Sequence, residues 1–349
     1  MKSIKSLQKN IYKITSGHFF ANWLPDERIN VGDFGPIKDG KFIYSANLKD
    51  RDLEFSTQTN SASNSTFRYQ MKTKIESAGK LSADLQEILG GFKSQFNISF
   101  GSLGSFIFDL EGIRNKRLKD RQALLEELGK KIWLKQIKWE DDFVVITEVK
   151  MAKKSQVMVC DSNKASLSFA CSGNPLEHGS LVKGNMDIKY INQSDSIIEA
   201  PSEGQNSPMF HPVRLVFTPG GPGGSPISYK QLKARLKSLL PDQGLKPEDV
   251  VIDPSNYVDN LQSNDEDNPS AIFHIKNLGI YALHFRSLTI EEFLKEHEED
   301  DSGSNSDGTM GNLLRETTDE VESVPEDIVE EEVQIEHYQV RTNAGEAQG

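Results

Sequence analysis

The sequence predicts an α+β protein whose main part is a β-rich mixed or antiparallel sheet with amphipathic hairpins and short helices, followed by a small α+β module and an acidic tail. Three observations carry this expectation. Phe96, Ile98 and Phe100 alternate with polar residues, a Gly101-Ser102-Leu103-Gly104 turn follows, and Phe106, Phe108 and Leu110 alternate again. A period of two with one apolar face predicts a β-hairpin over 94–111. The same pattern returns over 142–151 and 156–171, which predicts a second hairpin. Finally, the run Thr-Pro-Gly-Gly-Pro-Gly-Gly-Ser-Pro over 218–226 breaks all periodicity and marks a boundary.

Taken in order, Ile4, Leu7, Ile11 and Ile14 are spaced by three and four, which predicts an amphipathic helix over 2–14. Pro25, Gly32, Asp33, Gly35 and Pro36 then punctuate the chain, and Asp39-Gly40 suits a tight turn before a strand over 41–46. Strands are predicted over 53–56 and 67–73, and Leu81, Leu85, Ile88, Leu89 and Phe92 share one helical face that ends at Gly90-Gly91. A helix is predicted over 116–130, with Leu118, Leu124, Leu125 and Leu128 inward. Weaker strands follow over 181–190 and 196–199, a loop over 201–208, and a strand containing Val213, Leu215 and Phe217. Beyond the Gly/Pro run come a basic amphipathic helix (227–240), a short strand (250–252), a hairpin (271–275 and 280–284) and a helix (289–298) whose Thr289 and Glu292 form a capping box. The expected organisation is therefore a β-rich main domain (1–218), a linker (219–226), a small module (227–298) and a disordered tail (299–349).

Charge separates the tail from the rest. Of 52 acidic and 40 basic residues, 16 acidic and 2 basic lie from Glu298 onward, so residues 1–297 hold 36 and 38 and carry a net charge of +2. A folded part so near neutrality, beside a repelling tail, argues against nucleic acid as a partner. Two cysteines, Cys160 and Cys171, are too few for a disulfide framework. With a polar start and no apolar run of ~20 residues, the expectation is a cytoplasmic protein with no membrane-spanning helix.

Catalytic patterns are not found. The Gly-rich run lacks the lysine of a phosphate loop, and its prolines remove backbone donors. His274 and His284 fall on paired strands and are candidates to face each other, with no acidic or cysteine ligand placed to complete a metal site. Glu140, Asp141 and Asp142 are adjacent carboxylates that could bind a divalent ion, though a solvated turn before a strand is the plainer account. The chain is expected to be non-enzymatic, without a catalytic residue, cofactor or metal.

Two candidate surfaces remain. Arg114, Lys116, Arg117, Lys119, Arg121, Lys130, Lys131, Lys135 and Lys138 oppose only Asp120, Glu126 and Glu127, and Trp133 and Trp139 lie in the same run. Basic residues interleaved with tryptophan suit anionic lipid, at about 1 kcal/mol per charge near a membrane surface. A solvated helix face above two core tryptophans is the plainer account of the same residues. Phe96, Ile98, Phe100, Phe106, Phe108 and Leu110 are the candidate membrane-inserting residues, because spanning strands of about 9–11 residues need one lipid face and one polar face.

Residues 67–171 resemble the membrane-inserting half of gasdermins, with long amphipathic strand pairs interrupted by basic segments. The match is strongest over 142–169, where Val144-Val145-Ile146-Thr147-Glu148-Val149 precedes a lysine-containing turn and a Ser-Leu-Ser return strand. The resemblance implies a pore-forming, homo-oligomerising effector held inactive by its C-terminal region. The chain departs from that family in lacking a large helical inhibitory domain and an N-terminal cysteine of the lipidated kind. Val31-Gly32-Asp33-Phe34-Gly35 to Asn47-Leu48 is similar to uncharacterised bacterial proteins. The competing expectation is a soluble intracellular module that binds a protein partner through the basic segment or the tail.

Overall fold

The computed structural model describes residues 2–22, 28–60, 66–80, 92, 94–162, 165–172, 181, 188–194, 197–221, 224–239, 245–252 and 270–295. The acidic tail, and the helix expected over 81–92 apart from Phe92, lie outside them. The chain is mostly antiparallel sheet with short helices, as its alternating patterns predict.

Two long strands form the spine. β11 (Phe143–Cys160, 18 residues) runs antiparallel to β14 (Ile197–Pro219, 23 residues). Both are long because β-branched and apolar residues recur through them; β11 is buried on both faces over 144–149 and 155–160 and opens at Lys153 between them, and β14 is buried over 206–213. The other edge of β11 is shared in turn by β2 (Asp33–Lys38), β10 (Arg114–Leu118) and β9 (Phe106–Glu111). The other edge of β14 takes β1 (Phe20–Ala21) and β17 (Gly279–Ser287). The short strands β3 (Lys41–Phe42) and β4 (Ala46–Asn47) pair with β2, and Asp39 and Gly40, at φ 51° and 71°, close the expected tight turn. Farther out, β5 (Thr57–Thr59) joins β10, β6 (Thr66–Met71) joins β9, and β16 (Ser270–Ile275) with β15 (Val250–Ile252) extends the sheet beyond β17.

A second sheet has the order β13 (Ile188–Ser194), β12 (Ala165–Cys171), β8 (Ser94–Phe100), β7 (Thr73–Lys80). Four helices are described: α1 (Lys2–Ile14), α2 (Arg121–Trp133), α3 (Tyr229–Leu239) and α4 (Ile290–Leu294). Their apolar faces cover the large sheet. α1 inserts Leu7 and Ile11 over β9 and β11, while α2 lays Leu124, Leu125, Leu128, Ile132 and Trp133 against the core that includes Phe273, Leu283 and Phe285. α2 approaches the sheet at Gly129, where a Cβ would meet Phe273 at 2.4 Å.

Several elements differ from expectation. β8 and β9 do not pair with each other, since five residues carry the chain from one sheet to the other. The expected 142–171 hairpin differs in the same way: residues 143–160 form one continuous strand, and β12 returns in the second sheet. Residues 201–208 are strand rather than loop. Pro201 is tolerated because this part of β14 pairs with β11 on one side only among the described strands. The 116–130 segment begins as strand β10, and its helix starts only at Arg121, capped by the Asp120 carboxylate accepting from the Ala123 N–H at 2.9 Å. The Gly/Pro run is a turn held by Gly220 N–H to Ile280 O and Ile227 N–H to Phe217 O, both at 2.8 Å. The 227–298 segment accordingly continues the main sheet through β17 and shares its core, instead of standing apart. His274 and His284 do not oppose each other either, as His274 pairs with Ile280 and His284 with Ser270.

Candidate functional site

The two sheets are halves of one four-stranded ribbon. Along the chain β6 continues into β7, β8 into β9, β11 into β12 and β13 into β14, and the neighbour order is the same on both sides: β6-β9-β11-β14 in the large sheet and β7-β8-β12-β13 in the small one. Two strand pairs, β6/β7 against β9/β8 and β11/β12 against β14/β13, are thus each bent at mid-length. The middle ladder passes the bend in register, with Phe106 opposite Val159 and Phe100 opposite Ala165. The outer ladders slip: Met71 pairs with Phe106 but Thr73 with Phe100, four residues out of step, and Cys160 pairs with Ile197 but Ser166 with Ser194, three out of step across the bend. Backbone bonds continue through it, from Gly101 N–H to Lys72 O at 2.8 Å, Gly104 N–H to Cys160 O at 2.9 Å and Cys160 N–H to Ser105 O at 2.8 Å. Lys72 (φ 51°) and Gly104 (φ 76°) supply the left-handed backbone at which the ribbon turns.

The six candidate membrane-inserting residues divide between the halves. Phe96, Ile98 and Phe100 of β8 are packed with Leu167 and Phe169 of β12 against Ile107, Met158 and Cys160 of the large sheet. Phe106, Phe108 and Leu110 lie on the opposite face of the large sheet, under Leu7 and Ile11 of α1. All six are at most 2% exposed. The halves are also joined by the Leu181 N–H donating to the buried Asp109 carboxylate at 2.5 Å. α1 is held by the buried Gln8 side chain, which donates to Ala21 O (2.8 Å) and Gly40 O (3.1 Å) and accepts from Ala21 N–H (2.8 Å), and by Ser3 Oγ donating to Asp161 at 2.6 Å.

The nine basic residues do not share one helix face. Arg114, Lys116 and Arg117 are on β10, Lys119 follows it, and Arg121 opens α2. Lys130 and Lys131 end α2, and Lys135 and Lys138 lie beyond. Ten residues of helix put the two groups about 15 Å apart. The second group has a structural reason as well, because cations at a helix C-terminus complement its dipole. Lys131 donates to Arg51 O at 2.9 Å and Lys138 pairs with Glu140 at 3.1 Å. Trp133 and Trp139 are core residues, 2% and 3% exposed, so they supply no interfacial belt in this conformation.

A second constellation was not singled out in the sequence. Glu148 on β11 and His211 on β14 are directly opposed across the spine, and His18, after α1, stacks on His211 with ring centroids 4.0 Å apart. His18 Nε2 lies 3.2 Å from Glu148 Oε2, and Asn115 donates to the other oxygen. The two ring nitrogens of His211 meet Thr147 Oγ1 at 3.2 Å and Ser287 Oγ at 3.0 Å. Burial alone would raise the Glu148 carboxyl, but the His18 and Asn115 hydrogen bonds and the nearby imidazoles hold it at about 2. Burial, with the charges of His18 and Arg121, pushes His211 down to about 3. Lys150, on the same strand, is lowered by burial and sits 4.5 Å over the Phe19 ring. It lines a cavity of about 250 Å³ with Ile14, Phe19, Phe67, Leu110 and Met209. The three residues are separated by 130 and 63 positions, so no spacing motif points to them. The sequence signal is a carboxylate inside the Val- and Ile-rich start of a strand, which needs a partner if that start is buried.

No protein-family model matches the chain, and no curated protein does.

Proposed function

We propose that the protein perturbs anionic membranes through its two bent strand pairs, as a gasdermin-like, pore-forming effector held inactive by its C-terminal region. The observation that carries this is the common neighbour order of the four strands on both sides of the bend, with the middle ladder in register through it. Four strands already hydrogen-bonded side by side on both halves would, if straightened, make one ribbon with Phe96, Ile98, Phe100, Phe106, Phe108 and Leu110 on a single face. A membrane demands such a pre-paired amphipathic ribbon, because unpaired backbone groups are excluded from hydrocarbon. The gasdermin resemblance of residues 67–171 supports the same reading, and Arg114–Arg121 and Lys130–Lys138 would supply attraction to anionic lipid. The tail, with 16 acidic residues against 2 basic, suits a removable mask for those charges, and the protein is then cytoplasmic at rest and membrane-associated as a homo-oligomer once active.

The test is dye release from vesicles containing anionic lipid, comparing the full chain with one ending at Glu296, where the compact unit closes. An end at residue 218 is unsuitable because it removes β16 and β17 from the sheet. Greater release by the shorter chain is expected, and no release from either sinks the proposal. One observation favours the other reading, a soluble module for a protein partner: β9 and the apolar start of β11 are buried on both faces, as core strands are.

A further inference from the structure

We propose that His18, Glu148 and His211 bind a divalent transition-metal ion of the zinc class, with water completing the coordination on the open side of His18. One ligand atom from each lies within 4.8 Å of the other two. Donors around zinc, at about 2.0–2.2 Å from the ion, sit roughly 3.4 Å apart, so closing onto an ion needs a shift of up to about 1.4 Å and a turn of one ring out of the His18–His211 stack, so that the in-plane lone pairs converge. The geometry assigns that shift to His18. Glu148 and His211 are fixed by the β11–β14 ladder, whereas His18 has a 43% exposed side chain and follows Ser16 and Gly17, both at positive φ.

The donor set selects the ion. Two imidazoles with one carboxylate suit zinc and its transition-metal neighbours, while calcium and magnesium prefer all-oxygen sites. The surrounding hydrogen bonds are those that metal ligands require. Asn115 holds the second oxygen of Glu148, and of the two hydroxyls on His211 either can remain to orient the ring when the other gives way to the ion. Such an ion would fasten the segment after α1 to both spine strands. The inference stands independently of the membrane proposal.

The experiment uses the full chain, stripped with a chelator and titrated with zinc by calorimetry and with cobalt by visible absorption. One ion per chain is expected, with a raised unfolding temperature and cobalt bands of a four- or five-coordinate site. His18→Ala and Glu148→Gln should each weaken binding at least tenfold, and Asn115→Ala by ~10–100-fold through loss of the outer hydrogen bond. His337→Ala, in the tail, should leave binding unchanged. His18 is the most exposed member, so its variant folds and decides the matter even if Glu148→Gln does not. No binding by the wild type, or binding that His18→Ala leaves intact, overturns the proposal.

Discussion

Phe100 and Phe106 have the same parity along the chain yet lie in different cores, Phe100 between the two sheets and Phe106 beneath α1. In an uninterrupted strand both would project to one side. The bend at 101–105 exchanges the faces, and each half of the ribbon finds a separate cover. The contacts that hold those covers in place give the predictions below.

Asp109 spans the fold by accepting the Leu181 N–H in a fully buried setting. Asp109→Ala should cost about 1–3 kcal/mol, the penalty for a buried donor left without its acceptor. Urea unfolding measures it, with a lowered midpoint and an unchanged slope. An unaltered midpoint would mean that the contact contributes nothing to closing the ribbon.

Gln8 is the polar anchor of α1. Its replacement by Ala leaves the Ala21 N–H and two carbonyls without their partner, at ~1–3 kcal/mol for each buried group stranded. The expected loss is about 2–4 kcal/mol by chemical denaturation. With α1 loosened, Phe106, Phe108 and Leu110 lose their cover, so binding of an apolar dye should rise. On the proposed function vesicle release should rise as well, and a fall in release would contradict it.

At Gly129 two ordinary rules oppose each other. Alanine in a helix interior is better than glycine by about 1 kcal/mol, but overpacking a core costs about 1–3 kcal/mol. A Cβ here meets Phe273 at 2.4 Å and Leu283 at 2.9 Å, so packing wins and Gly129→Ala should destabilise by roughly 1–2 kcal/mol. Thermal unfolding checks the sign; a stabilised variant would show that the rings move aside freely.

Glu292 fastens α4 to the sheet through Arg286 (3.0 and 2.5 Å) and Arg214 (3.4 Å), and accepts from the Thr289 N–H at 3.1 Å. Partial burial would raise its carboxyl, but these hydrogen bonds and charges hold it below the ordinary 4.5. A depressed folded value contributes stability that is fully present above the unfolded value and is lost as pH falls below it toward the folded one. The wild type should therefore lose stability from about pH 4.5 downward through this group, a component missing from Glu292→Gln. Denaturation midpoints at pH 7, 5 and 3.5 should converge for the two proteins as pH falls.

The strands were legible in the sequence where alternation is strict, as at Phe96, Ile98 and Phe100, and the helix over 2–14 was legible from Ile4, Leu7 and Ile11. Their partners were not. Gly101-Ser102-Leu103-Gly104 has the composition of a hairpin turn, and composition does not distinguish a chain that reverses from one that passes between sheets. The Gly/Pro run looked like a boundary for the same reason, though Gly220 and Ile227 bind it to strand neighbours. Trp133 and Trp139 sit in a basic run only because α2 and the loop after it carry charge outward while turning these rings inward. The His18, Glu148 and His211 constellation was invisible because it is made by cross-strand register and by the return of α1, neither of which leaves a local pattern.

The bend has a thermodynamic consequence. The backbone bonds at Gly101, Gly104 and Cys160 join strands that are neighbours in the ribbon, not strands facing each other across the fold. A straight form would keep the pairing of the middle ladder but would need the outer ladders to slip by four and three residues, and the two forms would also differ in how apolar side chains are sheltered from water. On the proposed function, solvent would set the side-chain part of that balance, since water penalises an exposed apolar ribbon and hydrocarbon removes most of that penalty.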